Sequence, residues 1–349
     1  MVGKRINSVD MAKGIALLFV IFGHTLRPSM CADYLWCENA YSFVYSFHVS
    51  LLFMLSGFGY AFTREKNKKS SVGKYVGKKA KNLLLPWFTY SVLIYLVFVV
   101  ANYISPLKSI LSGSSYSLIS PVDFILAMLT NNNPYCFHVW YLQTLLLFVI
   151  CTFLIDKFVS KSDITFNILV VLLPAFYLLF CEQWVWIFKA FFQKYMFFLV
   201  GTMIPIGMVE KNKKKLSVLG LFCGGGLCLF LLKQVQELYQ NAVTGMITFY
   251  VYNIVIVGFC IGILSVCCIL ENKLTILAKF GRNSMVYYMY HQPFCCAFLG
   301  IIIYEKMRLP AILTVVICMI VSIVVPFVIT TVIKKFKIRK LFGIVGLPL

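Results

Sequence analysis

The chain has 349 residues, 61% of them apolar and 13% charged, with a mean hydropathy of +0.88. That balance excludes an ordinary water-soluble domain, in which about 25% of residues are charged. A formal charge of +20 would point to nucleic acid in a soluble protein, so the placement of the basic residues decides its meaning.

A membrane-spanning helix needs about 20 predominantly apolar residues. In chain order such runs lie at roughly 12–30, 42–62, 83–104, 138–155, 164–181, 184–209, 216–232, 245–270, 283–304 and 309–333. They predict an all-α polytopic bundle of about ten transmembrane helices. No stretch between them is long enough to bury a soluble core, so residues 1–349 read as a single membrane-embedded domain. Lys4 and Arg5 before the first run imitate a signal peptide, but His24 interrupts the run and no small-x-small site follows. The run is therefore counted as the first span.

With the N-terminus in the cytoplasm, 25 of the 32 Lys and Arg residues fall in cytoplasmic segments and 5 outside. The other two, Lys189 and Lys194, lie within the sixth run. This is the positive-inside asymmetry of an even number of spans with both termini cytoplasmic. The basic residues thus face a lipid bilayer, and a nucleic-acid partner is not expected. Of the 13 cysteines most lie inside spans, where the thiol acts as a small hydrophobe. Cys31, Cys37 and Cys136 fall in outer loops, and a Cys31–Cys37 bridge is left open.

Two connections are distinctive. Arg64 to Lys81 carries eight basic residues and Glu65 before Pro86 and Trp87, and reads both as an anchor for anionic lipid and as a landing strip for a polyanionic donor. The outer stretch 103–137 holds the serine-rich run Ser112 to Ser120 and Asn131 to Asn133, and reads as a lid or a plain connector.

Ionisable side chains inside a bilayer are costly and so are functional candidates. Lys13 and His24 are eleven residues apart, hence on one helix face and about 16 Å apart. Asp10 is placed to cap that helix and to pair with Lys13 at i, i+3. His48 in the second run lies at the depth of His24. His138 opens the fourth run, and His291 shares a face of the ninth with Ser284 and Tyr288. No two of the four histidines have the i, i+3 or i, i+4 spacing of helical metal ligands, so no metal is expected. Ser56-Gly57 reads as a close helix contact before it reads as a nucleophile, because no base accompanies the serine.

Together the motifs resemble the membrane acyltransferase-3 family. Asp10-Met11-Ala12-Lys13-Gly14 leading to His24 is similar to its opening Asp-x-x-Arg/Lys-Gly and basic-x10-His pattern. Phe47-His48 through Ser56-Gly57 resembles the second-span signature, His138-Val139-Trp140-Tyr141-Leu142 the His-x-Trp-Phe-Leu run, and Gly281-Arg282-Asn283-Ser284 with Tyr288 and His291-Gln292-Pro293 the late signature. One departure stands out: Lys79 and Asn82 occupy the places of an Arg-x-x-Arg pair, and lysine lacks arginine's bidentate fork.

The resemblance implies an O-acyltransferase, most simply an O-acetyltransferase, in the plasma membrane. It implies no permanently bound cofactor, acetyl-CoA or another acyl-CoA as donor, and a glycan or lipid-linked saccharide hydroxyl as acceptor. It implies catalytic roles for His24, Lys13 and Asp10, and donor binding by Lys74, Lys78, Lys79, Lys81 and Arg282. His48, Ser56, His138, Trp140, Ser284, Tyr288 and His291 would support the site or face the acceptor. Whether His24 acts as base or as transient acyl carrier stays open. No soluble esterase-like domain follows the last run, so a transfer needing one would draw on a separate glycan-assembly protein. A transporter or flippase of a glycan precursor is the competing reading, although no inverted repeat is visible.

Overall fold

The computed structural model describes residues 6–105, 108, 117–130, 132–180, 184, 186–222, 224–225, 242–271 and 273–336. The elements are α1 (Asn7–Thr25), α2 (Pro28–Asp33), α3 (Leu35–Ala61), α4 (Arg64–Lys68), α5 (Val72–Asn102), α6 (Pro121–Leu129), α7 (Trp140–Phe158) and α8 (Ser162–Phe180). There follow α9 (Trp186–Met203), α10 (Ile206–Lys211), α11 (Ala242–Leu270), α12 (Thr275–Arg282), α13 (Ser284–Tyr290) and α14 (Ala311–Phe336). Two π-helical segments, Phe294–Phe298 and Ile301–Lys306, fill the chain between α13 and α14. Among the described residues there is no strand.

Among the described residues seven helices are long and apolar enough to cross a membrane, and α13 with the π-helical stretch makes an eighth that bends by 50°. The expected ten are not all present in that form. The sixth expected span is α9, which Lys189, Gln193 and Lys194 make too polar to pass as apolar, and Pro205 separates it from α10. Of the seventh, 216–232, residues 223 and 226–232 lie outside the described residues. So do residues 112–116, Asn131 and the basic tail from 337 on.

The third span also differs from expectation. It starts at Val72 rather than near 83, so the second half of the basic stretch, Lys74 to Lys81, forms the first turns of α5, while Arg64–Lys68 is α4. Pro86 sits inside that helix, where it supplies no N–H to the preceding turn. Ser71 precedes the first turn and the chain before it is short, so a single helix carries charge at one end and apolar surface at the other.

Helix α1 is the centre of the bundle, packed against α3, α11, α12, α13 and α14. Its residues Met11, Ala12, Ala16, Leu17 and Ile21 are fully or almost fully buried. By contrast only 17% of α8 is buried, leaving Ile164, Ile168, Val171 and Leu172 outward, as a lipid-facing helix requires. Between α3 and α9 the backbones meet directly. A Cβ on Gly57 would lie 2.0 Å from the Phe198 carbonyl oxygen, and one on Gly201 would lie 2.0 Å from that of Met54. Small residues at the crossing permit this approach, which is the packing role the sequence assigns to Gly57.

Candidate active site

The first and last sequence motifs touch. A Cβ on Gly14 would stand 2.5 Å from the Leu277 carbonyl oxygen, and one on Gly281 would stand 1.8 Å from that of Asp10. The two glycines therefore let α1 and α12 meet backbone to backbone. Arg282 then reaches back across the junction, donating from Nε to Asp10 Oδ2 at 3.3 Å and from Nη2 to Asn7 Oδ1 at 2.6 Å.

This geometry corrects one expectation and adds to another. Asp10 does not cap α1: the helix begins after Ile6, and the Asp10 N–H already bonds the Ile6 carbonyl at 3.2 Å. Its buried carboxylate holds Arg282 instead. Arg282, expected among the donor-binding residues, is engaged in fastening α12 to α1.

Above that junction a cavity of about 180 Å³ is lined by Lys13, Leu52, Ser56, Tyr141, Ser284 and Tyr288, among others. All four motifs contribute to it. Ser56 Oγ donates to the Leu52 carbonyl at 2.8 Å and lies 3.0 Å from the Tyr141 hydroxyl, with no histidine as partner. It therefore has the structural contacts of a helix serine rather than those of a nucleophile.

A second cavity of about 460 Å³ is lined by His24, His48 and His138, with Tyr45, Trp140 and Lys194 among its other walls. The Tyr45 hydroxyl stands 3.3 Å from His24 Nδ1, and the Tyr45 ring packs 4.9 Å from that of His48. His48 Nδ1 bonds the Val44 carbonyl at 2.6 Å, which leaves Nε2 as the nitrogen with a free lone pair. His138 Nε2 bonds the Met289 carbonyl at 3.1 Å, and the Tyr288 hydroxyl donates to the His138 carbonyl.

His291 does not line the chamber but backs it. Its ring centroid is 5.2 Å from that of His24 and 5.2 Å from that of His138. Nδ1 meets the Tyr287 carbonyl at 3.1 Å, while Nε2 is buried without a hydrogen-bond partner. The four histidines, far apart in sequence, thus converge. Among the described residues no three His, Cys, Asp or Glu side chains are grouped to hold a metal.

Leu52, Tyr141 and Tyr288 line both cavities. The rings of Tyr141 and Tyr288 are 5.4 Å apart and form a waist between the Lys13 cavity and the histidine chamber. Lys13 and His24, set on one face of α1 by their spacing, therefore line two adjacent cavities with a shared wall.

The basic stretch divides by chemistry. Lys74, Lys78 and Lys81 recur at i, i+4 and i+7, share one exposed face of α5, and form a cationic stripe. Lys79 is half-buried, with its ammonium 5.4 Å from the Tyr75 ring centroid. Arg64 belongs to neither group. It grips Asp156 at 2.6 Å and Asp163 at 2.7 Å and donates to Ser162 at 2.9 Å, while Tyr60 donates to Asp156 at 2.7 Å. Burial by itself would lower the pKa of the Arg64 guanidinium, but the two carboxylates hold it above its ordinary value. This clasp, which joins α4, α7 and α8, has no sequence signal beyond the pair Asp156 and Asp163.

Sequence reasoning also missed Tyr45, Tyr141, Gln193 and Lys194 as walls. A lysine inside an apolar run is itself a signal, and Lys194 carries it. Cys31 and Cys37, by contrast, are neighbours as the sequence allows: their sulfurs lie 3.2 Å apart as thiols.

A helical membrane protein with a histidine-lined chamber next to a lysine-bearing cavity has the makings of a transfer enzyme embedded in lipid. The acyltransferase-3 family model, described as an acyltransferase domain, matches residues 6–331, nearly the whole chain. The protein belongs to that family. The nodulation protein NolL of Mesorhizobium japonicum is 31% identical over 109 residues, which are 31% of this chain and 28% of NolL. The likeness thus spans under a third of that relative. No solved structure matches the chain.

Proposed function

We propose that the protein is an O-acyltransferase of the plasma membrane that moves an acyl group, most simply acetyl, from a cytoplasmic acyl-CoA to a hydroxyl of a cell-surface glycan or lipid-linked saccharide. The observation that carries this reading is the pair of adjacent cavities that share Leu52, Tyr141 and Tyr288 as a wall. On the topology drawn from the basic residues, Lys13 faces the cytoplasmic side and His24 the outer side.

In this reading the Lys74, Lys78 and Lys81 stripe attracts the phosphates of the donor and Lys13 holds it at the mouth of the smaller cavity. The thioester end passes to the waist, and the acceptor enters the histidine chamber. With one proton on Nδ1 donated to the Tyr45 hydroxyl, His24 keeps its basic lone pair on Nε2. His24 then takes the proton of the acceptor hydroxyl, and the oxygen attacks the thioester carbonyl. The C–S bond breaks, and the thiolate leaves as free thiol with the proton His24 took. Asp10 acts at one remove, by keeping Arg282 and α12 in place against α1.

The test is transfer of label from radioactive acetyl-CoA to membrane glycans in vesicles carrying wild type, His24→Ala or Lys13→Ala, with folding checked by thermal denaturation. Wild type is expected to label a glycan. Folded His24→Ala is expected to lose at least about 100-fold, the usual size of a general-base contribution. The adjacent cavities would also suit a transporter, and movement of an unacylated glycan without any transfer of label would replace the enzyme by that function.

A further inference from the structure

We propose that the acceptor carries an anionic group, a carboxylate or a phosphate, and that Lys194 with Gln193 binds it in the histidine chamber. The inference rests on the acyltransferase reading for what the chamber holds, and on the chamber itself for the charge. Lys194 and Gln193 line its wall together with Ala190, one turn back on α9. The lysine's ammonium lies over the face of Phe197, 5.6 Å from the centroid. Among the described residues no carboxylate pairs with it.

Nor does the chamber supply a counter-charge of its own. None of its lining residues is Asp or Glu, and its remaining polar groups are histidines, tyrosines, Gln193 and the Trp140 indole. An ammonium held in apolar surroundings without an anion is poorly solvated, and helices in lipid keep such a group where it faces a cavity and a partner. The partner that completes the site is then a ligand. Gln193 adds amide N–H donors to the same wall, so an oxyanion there meets a cation and a neutral donor from consecutive residues.

The rest of the chamber suits a sugar bearing such a group. At about 460 Å³ it has the size of a small-molecule site, and Tyr41, Tyr45 and Trp140 supply flat apolar faces beside a few polar groups. His24 on the opposite helix would then meet a hydroxyl of the same saccharide while Lys194 holds its anion. The lysine would set which sugar, and which of its hydroxyls, reaches the histidine. This makes Lys194 a specificity residue rather than part of the proton path.

The experiment uses the full chain in nanodiscs of phosphatidylcholine alone, so that no anionic lipid offers its charge. Three probes are compared by direct binding: methyl glucuronide, methyl glucoside 6-phosphate and neutral methyl glucoside. At least one charged glycoside is expected to bind 10-fold or more tightly than the neutral one, and which of the two does so names the anion. Lys194→Met should bring that preference below 2-fold, and Lys194→Arg should keep most of it, with acetyl-CoA binding as the check that each variant is folded. Equal binding of neutral and charged probes, an unchanged preference in folded Lys194→Met, or binding of none of the three would overturn the proposal. Label transfer measured in the same nanodiscs separates the two ideas. Anion-selective binding without transfer removes the acyltransferase chemistry and leaves the anion site, whereas transfer without anion preference does the reverse.

Discussion

The Lys13 cavity encloses about 180 Å³ and offers one lysine, two serine hydroxyls and a leucine-rich wall, whereas the chamber at His24 encloses about 460 Å³ and offers three imidazoles and a lysine among aromatic rings. Both take residues from α1, α3 and α7, yet each suits a different task. The smaller one lies toward the end of the bundle where α12 is fastened by Arg282, and a cationic stripe on α5 is exposed outside it. The larger one has no acidic wall and gathers histidines whose unbonded nitrogens can handle protons. In the proposed reaction this separates a place for charge from a place for proton transfer, with Leu52, Tyr141 and Tyr288 between them.

The shared wall is where the comparison is most easily broken. Leu52→Trp puts an indole into the waist beside Tyr141 and Tyr288, and acetyl transfer is expected to fall about 100-fold, since misplacement of reacting groups alone has effects of that order. Binding of acetyl-CoA and of glycosides, measured separately, should each change less than 3-fold. A variant that loses both bindings would mean that the two spaces are not independent sites.

The clasp at Arg64 offers a smaller and different effect. Asp156 is wholly buried and held by both Arg64 and Tyr60. Asp156→Asn leaves the guanidinium without its main partner, and breaking a buried pair in this way costs about 3–5 kcal/mol. Thermal denaturation in detergent should show a lower midpoint, with the KM for acetyl-CoA unchanged in the protein that stays folded. A raised KM at unchanged midpoint would place Arg64 with the donor-binding lysines instead.

The smallest effect is expected on the exposed stripe. Lys78→Ala with Lys81→Ala should raise the KM for acetyl-CoA about 3-fold at low salt and hardly at all at high salt, because exposed charges act through a screened field. The same salt dependence in Lys13→Ala would erase the distinction between an attracting surface and a holding site.

Much of this arrangement was legible beforehand. Apolar runs located most of the helices, and the eleven-residue spacing set Lys13 and His24 on one face. The count of ten was less secure, because α9 trades apolarity for the polar wall of the chamber. The extent of α5 was misjudged for a related reason: lysines at its start read as loop, although i, i+4 spacing is equally a helix face. The ion pairs of Arg64 and Arg282 could not be read from the sequence. Their partners, Asp156 and Asp10, lie 92 and 272 residues away, beyond what local pattern can pair.

By itself the sequence determined that the chain is helical and apolar enough for a membrane, where its basic residues cluster, and that four motifs resemble one acyltransferase family. Those are properties of composition and of short-range periodicity, which lipid and the helix repeat impose on any chain. Only the tertiary structure decided that Gly14 and Gly281 join the first motif to the last, that four histidines converge, that two cavities share a waist, and that Lys194 stands in the chamber without a carboxylate beside it among the described residues. Each of these depends on which helix faces which. That choice is made by small residues at backbone contacts and by buried pairs between distant segments, and it leaves no mark in the local sequence.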